Sequence, residues 1–407
     1  MLDNKICHQA RLSRDARFDG QFFIGVKTTQ IYCRCICPAK APKEENIDYY
    51  PTAIAAAEAG FRPCLRCRPD SAPHSPAWNG VGATFERALR LIHQGALETD
   101  SLQELADQLG ISDRYLRQVF NQHVGVSPKK YALYQQCLFA KQLLHQTQLP
   151  VTEIALASGF NSLRRFNDCM LKQLHLNPTQ IRQNQKPASS KLTLKLAYRP
   201  PYDWKSMQSF LSARVIDGLE WTDKNSYGRT FEFCDRQGNK SQGQFTAHHL
   251  ADNHRFDVEI EIDDFSQLKN VVNNIRRILD LDVDILAVED HLSPHFASHI
   301  NIHTGLRLPG TWSLFEAGIR AILGQQISVT AAKNLVATLV DQLGEVYKAH
   351  KLFPTAEAIA NSSLDFFKMP GSRKQTLKNL AEHVLKFPNS DPDDWLKLKG
   401  IGPWTVD

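Results

Sequence analysis

Two close pairs of cysteines, Cys33 with Cys37 and Cys64 with Cys67, constrain this chain more than any other feature. Each pair can present two thiolates from one tight turn, which is the spacing that tetrahedral zinc requires. The loop between the pairs is longer than in common zinc ribbons, so a generic finger is not expected. Four ordinary buried cysteines or a disulfide framework are the plain alternatives. The N-terminus MLDNKICHQARLSRDARFDG carries no apolar core of a signal peptide, which argues against the second. No later run reaches the length needed to cross a bilayer, so no membrane role is expected. Of nine cysteines in 407 residues, five lie in one metal-type cluster, which points to a reducing compartment, most simply the cytoplasm.

Apolar and charged fractions of 42% and 22% are those of a soluble globular protein. The length suggests about three domains, and the net charge of +5 permits nucleic-acid binding without requiring it. Four regions separate along the chain. Residues 1–75 hold the cysteines and end in the turn-rich DSAPHSPAWNG, and residues 82–183 show apolar residues at helical spacing throughout. The polar QNQKPASSK at 183–191 reads as a linker. Residues 192–302 contain LTLKLAY, RTFEFCD and HRFDVEIEI, which alternate as antiparallel strands do, and a helix at 268–281. Residues 303–407 are helical again. The expected class is multidomain α+β: a small four-cysteine zinc α/β domain, an all-α tandem helix-turn-helix, an antiparallel α+β domain and a partial all-α helix-hairpin-helix domain.

Zinc with four thiolates carries a net charge of about −2, which keeps sulfur electron-rich, and thiolate is the nucleophilic form. Lys40, Arg62, Arg66 and Arg68 lie around the cysteines, as a phosphate-facing surface needs. A fold staple is the commoner role for such a site. Here, however, GVKTTQIYCRCICPAK and AGFRPCLRCRPD closely resemble the Ada-type zinc domain of bacterial alkylation-response regulators, over residues 3–72. That resemblance implies one zinc on Cys33, Cys37, Cys64 and Cys67, with Cys33 the methyl acceptor from a DNA methylphosphotriester. A methylated phosphate is neutral, so an anionic cluster is repelled less by it than by an ordinary diester. Methylation leaves the cluster at about −1 and raises DNA affinity. Lys40 stands where the family often has an arginine, keeping the charge without the planar fork. Cys35 falls outside the ligand pattern.

SLQELADQLGISDRYLRQVFNQHVGVSPKKY has the form of a helix-turn-helix: a helix at 101–108, Gly110 at the turn and Ser112 as the next N-cap. Arg114, Arg117 and Gln118 belong to its second helix. PVTEIALASGFNSLRRFNDCMLKQLHLNPTQIR repeats the plan, with Gly159 at the turn, Asn161 as cap, and Arg164 and Arg165 opening the second helix. The pair resembles the AraC-type DNA-binding domain over 85–182, through GVSPKKY and ASGFNSLRRF. It implies sequence-specific promoter binding in two successive major grooves, with RNA polymerase as a partner, while the two tandem reading heads by themselves suit a monomer. LHLNPTQIR departs from the glycine-containing turn usual in that family.

LKLAYRPPYDWKSMQSFLSAR, GLRLPGTWSLFEAGIRAILGQQISVTAA and LKGIGPWTVD resemble AlkA-type 3-methyladenine-DNA glycosylases, from 192 to the last residue. The glycines of Gly400-Ile401-Gly402 allow close backbone approach, and N–H groups opening the helix at Trp404 suit a phosphate. The resemblance implies a monovalent cation on the hairpin carbonyls and base flipping into an aromatic pocket. Phe210 and Trp404 match pocket positions, although core packing is the ordinary role of such rings. Gln326 falls where relatives place an apolar wedge. The family's catalytic aspartate lies beyond this hairpin, and Asp407, three residues past Trp404, is not that position. The chain is therefore expected to be inactive, or nearly so, as a glycosylase.

His291, His295, His299 and His303 recur every four residues, but Pro294 interrupts the run, so no metal is expected there. Asp391, Asp393 and Asp394 read as an acidic first helical turn. No Pro-Cys-His-Arg motif of O6-methylguanine repair is present. The leading reading is a DNA alkylation repair and response protein that joins single-turnover methyl transfer, transcription regulation and a glycosylase-type region. Two alternatives stay open: a methylation-sensing activator with a vestigial tail, and a plain regulator with structural zinc.

Overall fold

The computed structural model of the chain describes residues 3–15, 18–64, 66–67, 69, 83–93, 95–182, 192–234, 240–295, 303–388, 390 and 392–406. Two compact units divide it, Met1–Ser190 with Phe265–Asn273, and Lys191–Asp264 with Asn274–Asp407. The expected α+β class holds in both. The stretch 183–191, read above as a linker, lies outside the described residues, as does all of DSAPHSPAWNG.

The first unit opens with α1 (Asn4–Ser13), capped by the Asp3 carboxylate, and continues into a four-stranded sheet. Its strands are β1 (Phe23–Val26), β2 (Ile31–Arg34), β3 (Ile47–Tyr50) and, after α2 (Ala53–Glu58), β4 (Arg62–Pro63). Their order is β3-β1-β2-β4. Pairing is antiparallel except between β2 and β4, which run parallel. Gly25 on central β1 is required by close approach, since a Cβ there would meet the Tyr50 ring at 2.7 Å.

The next stretch is mostly helical, in the expected tandem form: α3 (Ala83–His93), α4 (Ala96–Thr99), α5 (Leu102–Gln108), α6 (Asp113–Val124), α7 (Pro128–Gln146), α8 (Val151–Ala157), α9 (Leu163–Leu174) and α10 (Pro178–Arg182). Ser101 and Glu104 form a capping box on α5, and Ser112 caps α6 by accepting from Tyr115 N–H at 3.2 Å. Gly110 and Gly159 take the left-handed conformation at the two turns, with φ of 69° and 78°. One expectation is corrected: α9 is capped by Ser162, which accepts from Arg165 N–H at 3.3 Å, not by Asn161. Serine in extended conformation reaches the third N–H of the helix, a geometry that belongs to the residue immediately before it. The missing glycine of LHLNPTQIR is replaced by His175, which ends α9 at φ 52° where Gly125 ends α6 at φ 76°.

In the second unit β5 (Leu192–Ala197), α11 (Trp204–Ser212), β6 (Glu220–Thr222), β7 (Ser226–Cys234), β8 (Lys240–Leu250) and β9 (Arg255–Ile262) give an all-antiparallel sheet of order β5-β9-β8-β7-β6. The three alternating strands of the sequence are β5, β7 and β9. Strand β8, at the sheet centre, was not legible because its inward positions are Ser241, Gly243, Phe245 and Ala247. Small residues are demanded there, since a Cβ on Gly243 would meet the Phe231 ring at 2.4 Å. The expected helix at 268–281 is α12 (Leu268–Ile278), followed by α13 (Ile285–Leu292).

Helices α14 (Leu314–Gly324) and α15 (Val329–Leu343), a short hairpin of β10 (Val346–Tyr347) and β11 (His350–Lys351), α16 (Ala356–Asn361), α17 (Gly371–Lys386) and α18 (Pro403–Val406) complete the unit. Ile216 and Leu219, from the segment before the sheet's edge strand, pack in one core with Ile319, Leu339 and Leu377. A buried ion network crosses this core: Arg229 donates to both Glu316 oxygens at 3.1 and 2.7 Å, and Arg320 donates to Glu316 at 2.9 Å and forms an ion pair with Glu220 at 3.1 Å. Asp393 and Asp394 do open a helical turn, a 3-10 segment over Pro392–Lys397, while Asp391 lies outside the described residues. His299 and the His295 side chain also lie outside them.

Candidate metal centre and nucleic-acid surfaces

Parallel pairing builds the cysteine site. Tyr32 of β2 lies opposite Pro63 of β4, and Cys64 N–H donates to Tyr32 C=O at 2.9 Å. The two chains thus run side by side into Cys33 and Cys64, and each then turns back. Cys37 N–H closes the first turn on Arg34 C=O at 3.2 Å. The four sulfurs converge within 4.8 Å of one another. Cys64 and Cys67 are buried, whereas Cys33 and Cys37 keep partial exposure.

The donor set fits zinc on its own chemistry. As bare thiols the four would compete for protons: hydrogen bonds from Cys37 and the others drive Cys33 far up, while those from Cys33 and the others drive Cys64 far down. A soft divalent cation shared by four thiolates removes that conflict. Cys35 is no ligand. It points into the small core beside α1, its thiol donates to Asp15 C=O at 3.4 Å, and burial, then Asp19, pushes it up to about 12.

Arg34, between two cysteines, was missed by sequence reasoning. Its Nε donates to Asp19 at 2.7 Å, a second nitrogen pairs with the other Asp19 oxygen, and a third donates to Cys67 C=O at 3.2 Å. Its backbone N–H donates to Cys67 Sγ at 3.4 Å. This fork pins the second turn to the strand carrying Cys33. The available signal was an arginine flanked by thiols, whose charge the cluster attracts, but only the fold supplies Asp19.

Around the centre Lys40 and Arg66 are exposed and Arg62 is half-buried, while Arg68 lies outside the described residues. In the helical region Arg114, Arg117, Gln118, Arg164 and Arg165 are all exposed on the first turns of α6 and α9. Arg117 lies 3.5 Å from Asp113 one turn earlier, and Tyr115 and Leu163 are large exposed side chains beside these arginines.

The glycine hairpin of the second unit is held from beneath. Gly400 has φ 94°, and a Cβ there would meet Thr376 Oγ1 at 2.1 Å. Thr376 donates to Lys399 C=O at 3.2 Å, and Gln325 donates to Gly400 C=O and to Thr405 Oγ1, both at 3.1 Å. A Cβ on Gly402 would meet nothing within 4 Å. Gly400→Ala is therefore expected to destabilise the second unit by about 2 kcal/mol through strain and collision, with Gly402→Ala much milder. Urea unfolding of the two variants checks the ranking. The helix after the hairpin begins at Pro403, one residue before Trp404, and Pro403 has no N–H. Neither of the aromatics expected at a base pocket is a core residue: Trp404 is 69% and Phe210 41% exposed. One face of Phe210 carries the Arg214 guanidinium at 3.7 Å. Gln326 is exposed with φ 59° in the turn between α14 and α15, and Asp407 lies outside the described residues.

A four-thiolate metal centre, tandem helix-turn-helix units and a sheet-and-hairpin unit on one chain define a zinc-containing DNA repair and regulatory protein. The family models agree: the metal binding domain of Ada matches residues 6–70, a helix-turn-helix domain 105–184 and the AlkA N-terminal domain 193–313. The probable bifunctional transcriptional activator/DNA repair enzyme AlkA of Mycobacterium tuberculosis (strain ATCC 25618 / H37Rv) is 33% identical over 430 residues, covering 100% of this chain and 85% of that protein. The bifunctional transcriptional activator/DNA repair enzyme Ada of Escherichia coli (strain K12) is 38% identical over 123 residues, 30% of this chain and 33% of that protein. DNA-3-methyladenine glycosylase 2 of the same organism is 29% identical over 226 residues, 52% of this chain and 77% of that protein. The chain belongs to the family of bifunctional transcriptional activator/DNA repair enzymes of the AlkA type. No described helix is long and apolar enough to cross a membrane.

Proposed function

We propose that Cys33 takes the methyl group of a DNA methylphosphotriester, once per molecule, and that the resulting charge change strengthens promoter binding. The convergence of four sulfurs at the ends of two parallel strands, with Cys33 partly exposed, carries this reading. Its sulfur attacks the methyl carbon, a carbon–sulfur bond forms, and the carbon–oxygen electrons leave with the phosphate oxygen as an ordinary diester anion. Zinc, when bound, keeps the sulfur deprotonated at neutral pH. Cys67 Sγ accepts the backbone N–H of Arg34, and the backbone N–H groups of Cys67 and Ala39 add to the lowering of Cys64 and Cys37. Such bonds draw charge from sulfur and favour Cys33 as nucleophile.

Lys40, Arg62 and Arg66 then serve the damaged backbone, and Arg114, Arg117, Arg164 and Arg165 read two successive grooves. Two reading units in one chain require no second copy, so a monomer that recruits RNA polymerase in the cytoplasm is the assembly we infer. In the second unit the exposed Phe210 and Trp404 face a flipped base, with Gly400 and Gly402 beside the backbone; a monovalent cation there would take hairpin carbonyls other than those of Lys399 and Gly400. Promoter affinity measured before and after reaction with methylphosphotriester DNA tests the central claim. Methylated protein is expected to bind tighter, with the gain shrinking as salt rises; equal affinity at low salt would count against the charge mechanism. Arg164→Ala or Arg165→Ala, where the side chain contacts a base, should cost about 1–3 kcal/mol of specific affinity, whereas Lys40→Ala should lower the salt slope by about one for all sequences.

A further inference from the structure

A second thiol pair lies away from the metal centre. Cys137, in the middle of α7, and Cys169, in α9, place their sulfurs 2.6 Å apart. Cys137 is 0% and Cys169 7% exposed. Non-bonded heavy atoms of this size settle roughly 3.5–4 Å apart and a disulfide closes to about 2.05 Å, so the two side chains already point at each other. Neither belongs to the zinc quartet, which is the one cluster of possible metal ligands among the described residues. Two small apolar side chains filling a helix crossing would explain the burial. They would not explain the sulfur-to-sulfur approach.

We propose that Cys137 and Cys169 form a reversible disulfide with hydroperoxides, stapling the second reading unit to the long helix shared by both units. The bridge would enclose all of α8 and the Gly159 turn, and would hold the start of α9, with Arg164 and Arg165, in register. Cys169 is the attacking group: hydrogen bonding from Cys137 lowers it, against the upward pull of burial, and Arg165 and Lys172 add to the lowering. The Cys169 thiolate attacks one peroxide oxygen, giving a sulfenic acid and releasing hydroxide. Cys137 sulfur then attacks Cys169 sulfur, the S–S bond forms as the S–O bond breaks, and the departing hydroxide takes the Cys137 proton and becomes water. In sum two thiols and one hydrogen peroxide give one disulfide and two waters, with two electrons passing from sulfur to peroxide.

The test uses the full-length zinc-loaded chain treated with hydrogen peroxide, then alkylated under denaturing conditions, digested and weighed. The expected product is one peptide pair joining Cys137 to Cys169, two hydrogens lighter than its parts and separated by dithiothreitol. The oxidised protein should also melt higher than the reduced one, and Cys169→Ala should remove that peroxide-dependent shift. Recovery of both residues as alkylated thiols, while the zinc cysteines are oxidised, would overturn the proposal. So would irreversible sulfinic forms, or links from either residue to a different cysteine.

Discussion

Replacing Cys33 by serine is expected to reduce methyl uptake from methylphosphotriester DNA to background while leaving the fold of the first unit in place. A serine oxygen can still approach zinc, and three thiolates remain at the ends of β2 and β4 to hold it. What is lost is the soft, charge-rich sulfur on the partly exposed strand end, since a hydroxyl is weakly nucleophilic near neutral pH. Intact-mass analysis should find wild-type protein heavier by one methyl group after reaction and the variant unchanged. Promoter affinity of the variant should then be indifferent to pretreatment with damaged DNA. Uptake at Cys37 in the variant at the wild-type rate would show that any partly exposed thiolate of the cluster serves and that Cys33 is not the dedicated acceptor. Full uptake at Cys33 with no change in promoter affinity would separate repair from regulation.

The second large effect lies in the buried network of the second unit. Glu316 is 3% exposed and compensates both Arg229 and Arg320, with Glu220 as a second acid. Glu316→Ala leaves two guanidinium groups against one carboxylate in the core and should cost about 3–5 kcal/mol. The paired change Arg229→Met with Glu316→Leu should cost much less, because it removes both charges together. Denaturant unfolding of the two variants distinguishes them; equal losses would mean that the cost is volume and packing, not unpaired charge.

The same network sets a pH dependence. Burial alone would raise Glu316, but Arg229 and then Arg320 outweigh it and hold the carboxyl below its ordinary value. A depressed folded-state value contributes stability that is present above the unfolded value, near pH 4.3, and is lost as pH falls through the folded value. Melting of the second unit should therefore be steady from neutrality to about pH 5 and fall steeply below pH 4, and the paired hydrophobic variant should show a shallower fall.

Much of the reading unit was legible because its signals are local. Gly110 needs only its own φ, and Ser112 needs only the N–H three residues on, whereas Gly159 adds to the same φ a close approach, since a Cβ there would meet Glu98 at 2.5 Å. The misplaced cap at Asn161 arose because two adjacent residues can both cap, and which one does depends on where α9 actually begins. The buried carboxylate–arginine network was not legible, because Arg229 and Glu316 are 87 positions apart and nothing near either names the other. Strand β8 escaped for a related reason: its inward serine, glycine and alanine are small to suit neighbouring strands, so hydrophobic alternation was absent from its own residues.

By itself the sequence determined the ligand set, the tandem reading helices and the family, because paired cysteines and caps act over a few residues and their chemistry travels with them. Tertiary structure alone decided that Cys33 meets Cys64 through a parallel strand pair, that Arg34 is locked by Asp19, and that Cys137 meets Cys169. Such encounters are fixed by which chain segments pack together. That choice is made by the whole buried surface and not by any short run of residues.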